Sequence, residues 1–295
     1  MDQSANRRTF TEMKDSSSYS TYDQLTRYAK DLSQVYKSVK ERSKALEIAN
    51  QQLIKYAEDL NNNILTLRST HKDLQDAYLD TIHRLVLAAE FRDEDTGEHI
   101  IRISHYSALI ANKLGLTPRE VKNILYAAPM HDVGKIGIPD SILMKPSKLT
   151  DDEFHFMKTH TTIGAKILED SRAEILRLAE QIAISHHEKW NGNGYPLGLS
   201  GFDIPLVGRI VGLADVFDAL TSRRPYKEPY PIDFVCDIIK KESGHHFEPE
   251  LSHLLLDNID EFMNIKEEVD SSENASFPGF IKSERDCNEM ISEVS

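Results

Sequence analysis

The sequence predicts an all-α protein, in which one long helix precedes a compact helical domain. Residues 21–91 contain no proline and no glycine, and their apolar side chains recur at steps of three and four. Farther along, Thr117-Pro118-Arg119-Glu120 and Thr150-Asp151-Asp152-Glu153 have the capping-box pattern that starts helices. No stretch shows the polar and apolar alternation of a half-buried strand. We therefore expect four regions: a disordered N-terminus (1–20), a long coiled-coil helix (21–88), a compact domain (89–264) and an acidic disordered tail (265–295).

The overall charge and composition argue against several classes of protein. The 295 residues carry a formal net charge of −13, whereas a general nucleic-acid-binding protein is basic. No apolar run approaches the roughly 18 residues of a membrane-spanning helix, and residues 1–18 lack the apolar segment of a secretory signal. Cys236 and Cys287 lack metal-site spacing and are expected to be free thiols. We therefore expect a cytoplasmic protein without a membrane span that binds no nucleic acid.

The long helix has the pattern of a coiled coil. Its repeated apolar positions are Leu25, Tyr28, Leu32, Val35, Val39, Leu46, Ala49, Leu53, Tyr56, Leu60, Ile64, Leu67, Leu74, Tyr78 and Leu85. The steps of four on both sides of Leu60 form a stutter, which locally unwinds a coiled coil. At about 1.5 Å per residue the helix would be on the order of 100 Å long. We expect it to pair into a parallel homodimer and to offer a docking site for a protein partner; the alternative is that it folds back onto its own domain.

The compact domain is predicted to consist of short helices. They are expected near residues 98–114, 118–132, 151–168, 172–187, 207–221, 231–243 and 248–263. A glycine-rich irregular stretch runs from Glu188 to Pro205, and its Trp190 and Tyr195 indicate an ordered, functional loop. Residues 1–20 and 265–295 contain few large apolar side chains, which predicts disorder at both ends.

Several histidines and carboxylates occur in pairs that suit a metal cluster. Asp95 and His99 are four residues apart and would share one helix face. His131-Asp132 and His186-His187 are adjacent pairs. Because adjacent residues on a helix diverge by about 100°, such a pair would serve two neighbouring metals rather than chelate one.

Asp215 and His160 complete this set of candidate ligands. Asp215 follows the apolar run Ile210–Ala214, where a buried carboxylate needs a cation or hydrogen-bond donors. Five histidines and two or three carboxylates, without a thiolate, suit iron, manganese or another first-row divalent ion better than structural zinc. Each residue taken singly is also compatible with a structural role.

The segment Arg223-Arg224-Pro225-Tyr226-Lys227 is a basic cluster in an acidic chain. Together with Lys135 it is a candidate site for phosphate oxygens or guanine faces, because the planar guanidinium group binds phosphate through two hydrogen bonds and stacks on rings. The alternative is a solvated helix end.

These motifs together resemble the HD-GYP family, the bacterial phosphodiesterases of cyclic di-GMP within the HD phosphohydrolase superfamily. The resemblance is carried by His131-Asp132-Val-Gly-Lys135, His186-His187-Glu188-Lys-Trp-Asn-Gly-Asn-Gly194-Tyr195-Pro196, Ile204-Pro205, Arg209-Ile-Val, Asp215-Val-Phe-Asp218-Ala-Leu-Thr and Arg224-Pro-Tyr-Lys227. It extends from about Tyr78 to Ile259. The greater part of the long helix and the acidic tail lie outside it. It implies that the compact domain is an HD-type helical domain.

The resemblance implies a role for each matching residue. The metal ligands would be His99, His131, Asp132, His160, His186, His187 and Asp215, with Asp132 bridging two ions. Lys135 would contact the scissile phosphate, Arg224 and Lys227 would hold the dinucleotide, Tyr195 would line the pocket, and Asp218 would support a ligand or contact the substrate. At Asp95 some members carry a glutamate that supports a third metal. Aspartate is one methylene shorter, so we expect two metals and only a weaker third.

The activity that the resemblance implies is hydrolysis of cyclic di-GMP. Two iron or manganese ions would share a bridging hydroxide that attacks a 3′–5′ phosphodiester bond in line, giving pGpG, GMP or both. Lys135 would stabilise the developing charge. One alternative is a weakly active sensor that binds cyclic di-GMP and signals through its coiled coil. Another is an HD phosphohydrolase for a different nucleotide, against which the complete glycine loop with Tyr195 and Pro196 argues.

Overall fold

The computed structural model describes residues 5–90, 97–223 and 228–271, with side chains described from Thr21 to Ala89 in the first range. These residues contain no β-strand, only the isolated bridges Asn191–Ser200 and Ser243–Phe247, which confirms the all-α prediction. The α-helices are α1 (Ala5–Glu90), α2 (Gly97–Lys113), α3 (Pro118–Ala127), α4 (Asp140–Leu143), α5 (Asp151–Met157), α6 (His160–Leu168), α7 (Glu174–Ser185), α8 (Leu206–Thr221), α9 (Ile232–Glu242), α10 (Pro249–Asp257) and α11 (Ile259–Ser271). None of the described helices is both long and apolar enough to span a bilayer.

Helix α1 is unbroken from Ala5 to Glu90, which confirms the predicted long helix. The prediction that residues 1–20 are disordered is wrong from Ala5 onward, and residues 1–4 lie outside the described part of the chain. Residues 5–20 contain no proline or glycine, so nothing in them stops a helix from propagating.

The chain divides into two compact units between Leu74 and Gln75, not near residue 88 as predicted. In the second unit Leu79, Val86 and Ala89 of α1 are buried and contribute to the core. The sequence did not reveal this boundary, because apolar steps of three and four are shared by coiled coils and by helices that pack on a globular core.

Two predicted helices are shorter than expected, and each ends at residues that interrupt the helical hydrogen bonds of the backbone. Helix α3 ends at Ala127, shortly before Pro129, which has no N–H to continue the helical hydrogen bonds. The predicted helix 151–168 is divided into α5 and α6. Between them Thr159 Oγ1 donates to the carbonyl of Phe156 at 2.6 Å, and Thr161 Oγ1 donates to that of Lys158 at 2.9 Å. Both breaks lie next to candidate ligands.

Both predicted capping boxes are present, at the starts of α3 and α5. In each, the threonine hydroxyl accepts from the glutamate N–H, and the glutamate carboxylate accepts from the threonine N–H at 2.8 Å. These contacts satisfy amide groups that the first turn of a helix leaves without partners.

Helix α2 lies at the centre of the second unit. Every residue from His99 to Ala111 is buried, so the helix is surrounded on all sides. Tyr106 of α2, Phe217 of α8 and Phe262 of α11 form an aromatic cluster, with ring centroids 5.2 to 5.5 Å apart. This cluster fixes the last helix against the two helices that carry candidate ligands.

Helix α11 continues through Ser271, so the predicted disordered tail (265–295) is wrong for its first residues. The predicted helix 248–263 is divided at Asn258, whose Nδ2 donates to the carbonyl of Leu254 at 2.7 Å. Val269 is buried against Leu79 and Ile101. An isolated valine among charged residues gives little sign of burial in the sequence, which explains the misplaced boundary. Residues 272–295 lie outside the described chain.

Candidate metal centre

Seven candidate ligands converge in the second unit and form two groups. One group is Asp132, His160, His186 and His187, and the other is His99, His131 and Asp215. Within each group the ligand-type atoms lie within 4.8 Å of one another. The groups are adjacent, since His131 Nε2 lies 3.2 Å from Asp132 Oδ2. Asp95, the eighth candidate, lies outside the described residues.

Each ligand-type side chain lies at or near the end of a helix or on a helix that faces the cluster. His99 is in the first turn of α2, His160 begins α6, and Asp215 lies on α8. The adjacent pairs occupy turns: His131-Asp132 lies between the 3₁₀ helices Ala128–Met130 and Val133–Gly137, and His186-His187 follows α7. The cluster therefore depends on how five separate parts of the chain pack together.

Two glycines allow this convergence through close backbone contact. A Cβ atom on Gly134 would lie 1.9 Å from the carbonyl oxygen of His160. A Cβ atom on Gly212 would lie 2.5 Å from the carbonyl oxygen of His186. Only glycine permits these approaches, which bring the turn after Asp132 and helix α8 next to two of the histidines.

The orientation of three imidazoles is set by carbonyls of the same helical turn. His131 Nδ1 lies 3.0 Å from the carbonyl oxygen of Ala128, and His160 Nδ1 lies 2.8 Å from that of Met157. His186 Nδ1 lies 3.1 Å from that of Ile182. An Nδ1–H that donates to a carbonyl leaves the lone pair on Nε2, the tautomer that binds a metal.

The atoms that face the cluster have the properties of metal-ligand atoms. Asp132 Oδ1 and the Nε2 atoms of His160 and His186 are buried and lie close together, but with the proton on Nδ1 no hydrogen bond joins them. Orphaned polar atoms are costly unless something binds them. Burial lowers the pKa of His186 and holds that of His187 well below its ordinary value, so both imidazoles stay neutral near pH 7. This donor set fits divalent first-row metal ions.

Asp132 lies in contact with both groups. Its Oδ1 lies 3.2 Å from His160 Nε2 and 3.5 Å from His186 Nε2, and its Oδ2 lies 2.9 Å from Lys135 Nζ. Burial raises the pKa of Asp132, but Lys135 and His131 outweigh that effect and hold the pKa well below its ordinary value. The carboxylate is therefore ionised near neutral pH, as a metal ligand must be.

Asp218 lies behind the cluster and not on its open side. The residue is 1% exposed, and its Oδ2 lies 2.7 Å from His99 Nδ1. It also accepts hydrogen bonds from Arg102 Nε at 2.6 Å and from Ser222 Oγ at 3.1 Å. Burial raises the pKa of Asp218, but His99 and Arg102 outweigh this and hold the pKa below its usual range. Of its two predicted roles, this position favours the support of a ligand over contact with a substrate.

The glycine-rich loop places Tyr195 against the histidine cluster. The Tyr195 ring centroid is 4.7 Å from that of His187, with planes tilted by 32°, and Lys158 Nζ lies 5.1 Å from the Tyr195 centroid. Glu188 holds the loop closed, because its carboxylate accepts hydrogen bonds from the backbone N–H groups of Leu197, Gly198 and Leu199 at 2.7 to 3.1 Å. The loop is thus ordered, and Tyr195 lines the site.

A family model described as an HD domain matches residues 43–251, more than half of the chain. The chain belongs to the HD domain family. The similarity to HD-GYP proteins that the motifs indicated is confirmed, because several similar proteins of this type are named cyclic di-GMP phosphodiesterases.

This HD domain protein is similar to several named bacterial proteins. It is 43% identical over 70% of its length to a "3'3'-cGAMP-specific phosphodiesterase 2" of Vibrio cholerae. It is 40% identical over 72% to a "Cyclic di-GMP phosphodiesterase" of Thermotoga maritima, and 42% identical over 70% to the "Cyclic di-GMP phosphodiesterase response regulator RpfG" of Xanthomonas campestris. The matches cover only 38%, 57% and 55% of these proteins respectively.

A solved structure supports the fold of this HD domain. The crystal structure of a cyclic GMP-AMP specific phosphodiesterase of V. cholerae matches with a TM-score of 0.50 at 20% sequence identity. The match covers 73% of this chain and 60% of that one. At this identity the likeness concerns the fold alone.

The predicted substrate contacts stay predictions, and the structure describes only some of these residues. Lys135 and Tyr195 lie at the cluster, whereas Arg224 and Lys227 lie outside the described residues. Sequence reasoning missed Arg102 and the loop-closing role of Glu188. A charged residue within the apolar run Ile100–Ile103, three positions after His99, was the available sign of a buried arginine with a specific partner.

Proposed function

We propose that this chain is a metal-dependent phosphodiesterase that hydrolyses cyclic di-GMP to pGpG, GMP or both. The observation that carries the proposal is the convergence of two ligand groups around Asp132, with Lys135 Nζ 2.9 Å from its Oδ2. The names of two of the three relatives above agree with this substrate. A third relative is named for 3'3'-cGAMP, so that dinucleotide is a second candidate substrate.

In this proposal the two ligand groups would hold divalent ions, iron or manganese, and Asp132, which contacts side chains of both groups, would be their shared ligand. A third ion at Asp95 would bind more weakly. When bound, such ions polarise phosphoryl oxygens and lower the pKa of a bound water. Neutral His186 and His187 can donate lone pairs to these cations without losing a proton.

The protein's own groups would orient and neutralise the substrate. The Lys135 ammonium lies beside Asp132 and would stabilise negative charge that develops on the scissile phosphate. Tyr195, half-buried on His187, would line the pocket for the dinucleotide. Arg224 and Lys227 are proposed to hold the dinucleotide from the basic segment.

We further propose that α1 pairs with a second copy of the chain, within residues 21–88, and can receive a protein partner there. Leu25, Leu32, Val39 and Leu53 are all more than half exposed within one chain, which supports a partner for this stripe. A cytoplasmic location is part of the same proposal.

The Asp132→Ala variant tests the proposed activity. We expect it to lose metal-dependent hydrolysis of both cyclic di-GMP and 3'3'-cGAMP, measured by chromatography of products with Fe²⁺ or Mn²⁺ supplied under anaerobic conditions. Asp237→Asn, which changes an exposed carboxylate on α9, serves as the matched control and should keep wild-type turnover.

Full turnover by Asp132→Ala would refute the proposal. Tight binding of cyclic di-GMP by the wild type with negligible turnover under both metals would instead support the sensor function. Faster hydrolysis of 3'3'-cGAMP than of cyclic di-GMP would identify the second candidate as the preferred substrate.

A further inference from the structure

The last described helix is connected to the candidate ligand His99 by a line of charged side chains. His99 Nδ1 lies 2.7 Å from Asp218 Oδ2, and Arg102 Nε donates to Asp218 Oδ1 at 2.6 Å. On its other side Arg102 Nη1 donates to Asp270 Oδ1 of α11 at 2.8 Å. These contacts join residues that are up to 168 positions apart in the sequence.

Arg102 is buried and makes hydrogen bonds to both Asp218 and Asp270. Its side chain is 5% exposed, and two of its nitrogens, Nε and Nη2, donate to Asp218, at 2.6 and 3.1 Å. Such a two-point contact fixes the planes of the guanidinium and the carboxylate relative to each other. Glu98 Oε2 lies 3.7 Å from Arg102 Nη1, farther away than Asp270, and is the weaker neighbour.

His99 differs in this respect from the other histidines with a described Nδ1 contact in the cluster. His131, His160 and His186 are oriented by backbone carbonyls of their own turns. His99 is oriented instead by a carboxylate on α8, and that carboxylate is oriented by Arg102. Among the described Nδ1 contacts, that of His99 is thus the one that joins two helices far apart in the sequence, and it lies in the group formed by His99, His131 and Asp215.

We propose that Arg102 and Asp270 are positioning residues, through which the docking of α11 sets the orientation of His99 and the metal affinity of its group. The inference rests on the metal centre of the proposed function. Helix α11 is well placed for this role, because Val269 is buried and Phe262 packs against both Tyr106 and Phe217. Partners of ligating histidines that lie outside the ligand sphere affect metal affinity by about 10- to 100-fold.

The test compares two ion pairs that join the same two helices. Asp270→Asn weakens the pair with Arg102 and also the pair of Asp270 with Lys266 of the same helix, whereas Glu261→Gln removes the 2.7 Å pair between Glu261 Oε1 and Lys113 Nζ, which also joins α11 to α2. Both carboxylates are more than one third exposed, so both variants should fold. Mn²⁺ binding to the 295-residue chain is measured by titration. The electron paramagnetic resonance signal of free Mn²⁺ decreases as the ion binds.

We expect Asp270→Asn to weaken the binding of one Mn²⁺ equivalent by about 3- to 10-fold, less than a direct neighbour of the ligand would. Glu261→Gln should bind Mn²⁺ as the wild type does. Its thermal unfolding midpoint should shift by about as much as that of Asp270→Asn. Arg102→Gln should weaken binding more than Asp270→Asn, and Arg102→Lys should restore part of it, since lysine keeps the charge but not the two-point contact.

Equal Mn²⁺ affinity in Asp270→Asn and the wild type would overturn the inference, as would equal weakening by both carboxylate variants. Neither of these outcomes would contradict the proposed function. Conversely, a wild type that binds Mn²⁺ but hydrolyses neither dinucleotide would contradict the proposed function. The comparison of Mn²⁺ affinities would still test the role of Asp270 in that case.

Discussion

Among the residues that the structure describes, Lys135 is the cation that pairs with Asp132, the central carboxylate of the cluster. Its Nζ lies 2.9 Å from Asp132 Oδ2, and its side chain is largely buried beside the histidines. A cation at this position helps to keep Asp132 ionised and can also neutralise charge on a phosphate. An apolar residue of similar length removes both effects, and they are told apart because the first is measured as metal content and the second as turnover.

We expect Lys135→Met to lower kcat for cyclic di-GMP hydrolysis by about 100-fold, the effect of removing one donor from developing charge. Metal content should remain close to that of the wild type, because the ligand-type side chains are intact. Lys145→Met, which removes the partner of Glu153, is the control and should leave kcat unchanged. Unaltered kcat in Lys135→Met would show that Lys135 does not act on the substrate. Steady-state assays with metal analysis of each protein provide the measurement.

At the scale of single elements, the part of α1 in the second unit has one buried side and one side exposed to solvent. Val86 is 2% exposed, whereas its neighbour Leu85 is 64% exposed. Both residues belong to the same apolar segment of the sequence, Leu85-Val86-Leu87. Only the fold decides which of them enters the core.

This pair provides a test of where the compact domain begins. Val86→Ala should lower the free energy of unfolding by about 1 to 2 kcal/mol, through lost burial and the cavity left behind. Leu85→Ala should change it by less than about 0.5 kcal/mol. Urea denaturation of both variants gives the values. A large effect of Leu85→Ala would mean that another surface covers this side of α1.

The limits of sequence reasoning are clearest for such elements. The long helix, the capping boxes at Thr117 and Thr150 and the order of the later helices were predictable, because local spacing carries those signals. The start of the core at Leu79 and the end of α11 at Ser271 were not, because they depend on which apolar residues meet across the fold. The candidate ligands were found from paired residues and family motifs. Arg102 and Asp270 were missed, because no local pattern connects positions so far apart.

At the scale of the whole molecule, the first unit exposes an apolar stripe that a single chain leaves to solvent. Leu25, Leu32, Leu46 and Leu60 are each more than 60% exposed. A long helix with such a stripe gains stability mainly from packing against a partner.

We expect the full chain to have a mass in solution of about twice 33.6 kDa, and a chain that begins at Gln75 to be monomeric. The shorter chain keeps Leu79, Val86 and Ala89 and should remain folded. Light scattering coupled to size exclusion gives the masses, and circular dichroism checks folding. A monomeric full chain, or a Gln75 chain that still dimerises, would contradict pairing through the stripe.

The different acceptors of the histidine Nδ1 atoms have a consequence for how this protein can change by mutation. A backbone carbonyl is present whatever the side chain, so point mutations elsewhere cannot delete the acceptors of His131, His160 and His186. The acceptor of His99 is the carboxylate of Asp218, which a single nucleotide change can remove. The orientation of three of the seven candidate ligands is thus insensitive to the identity of neighbouring side chains, whereas that of His99 is sensitive to it. Homologues that differ in metal preference should therefore differ more often around His99 than around the other three histidines.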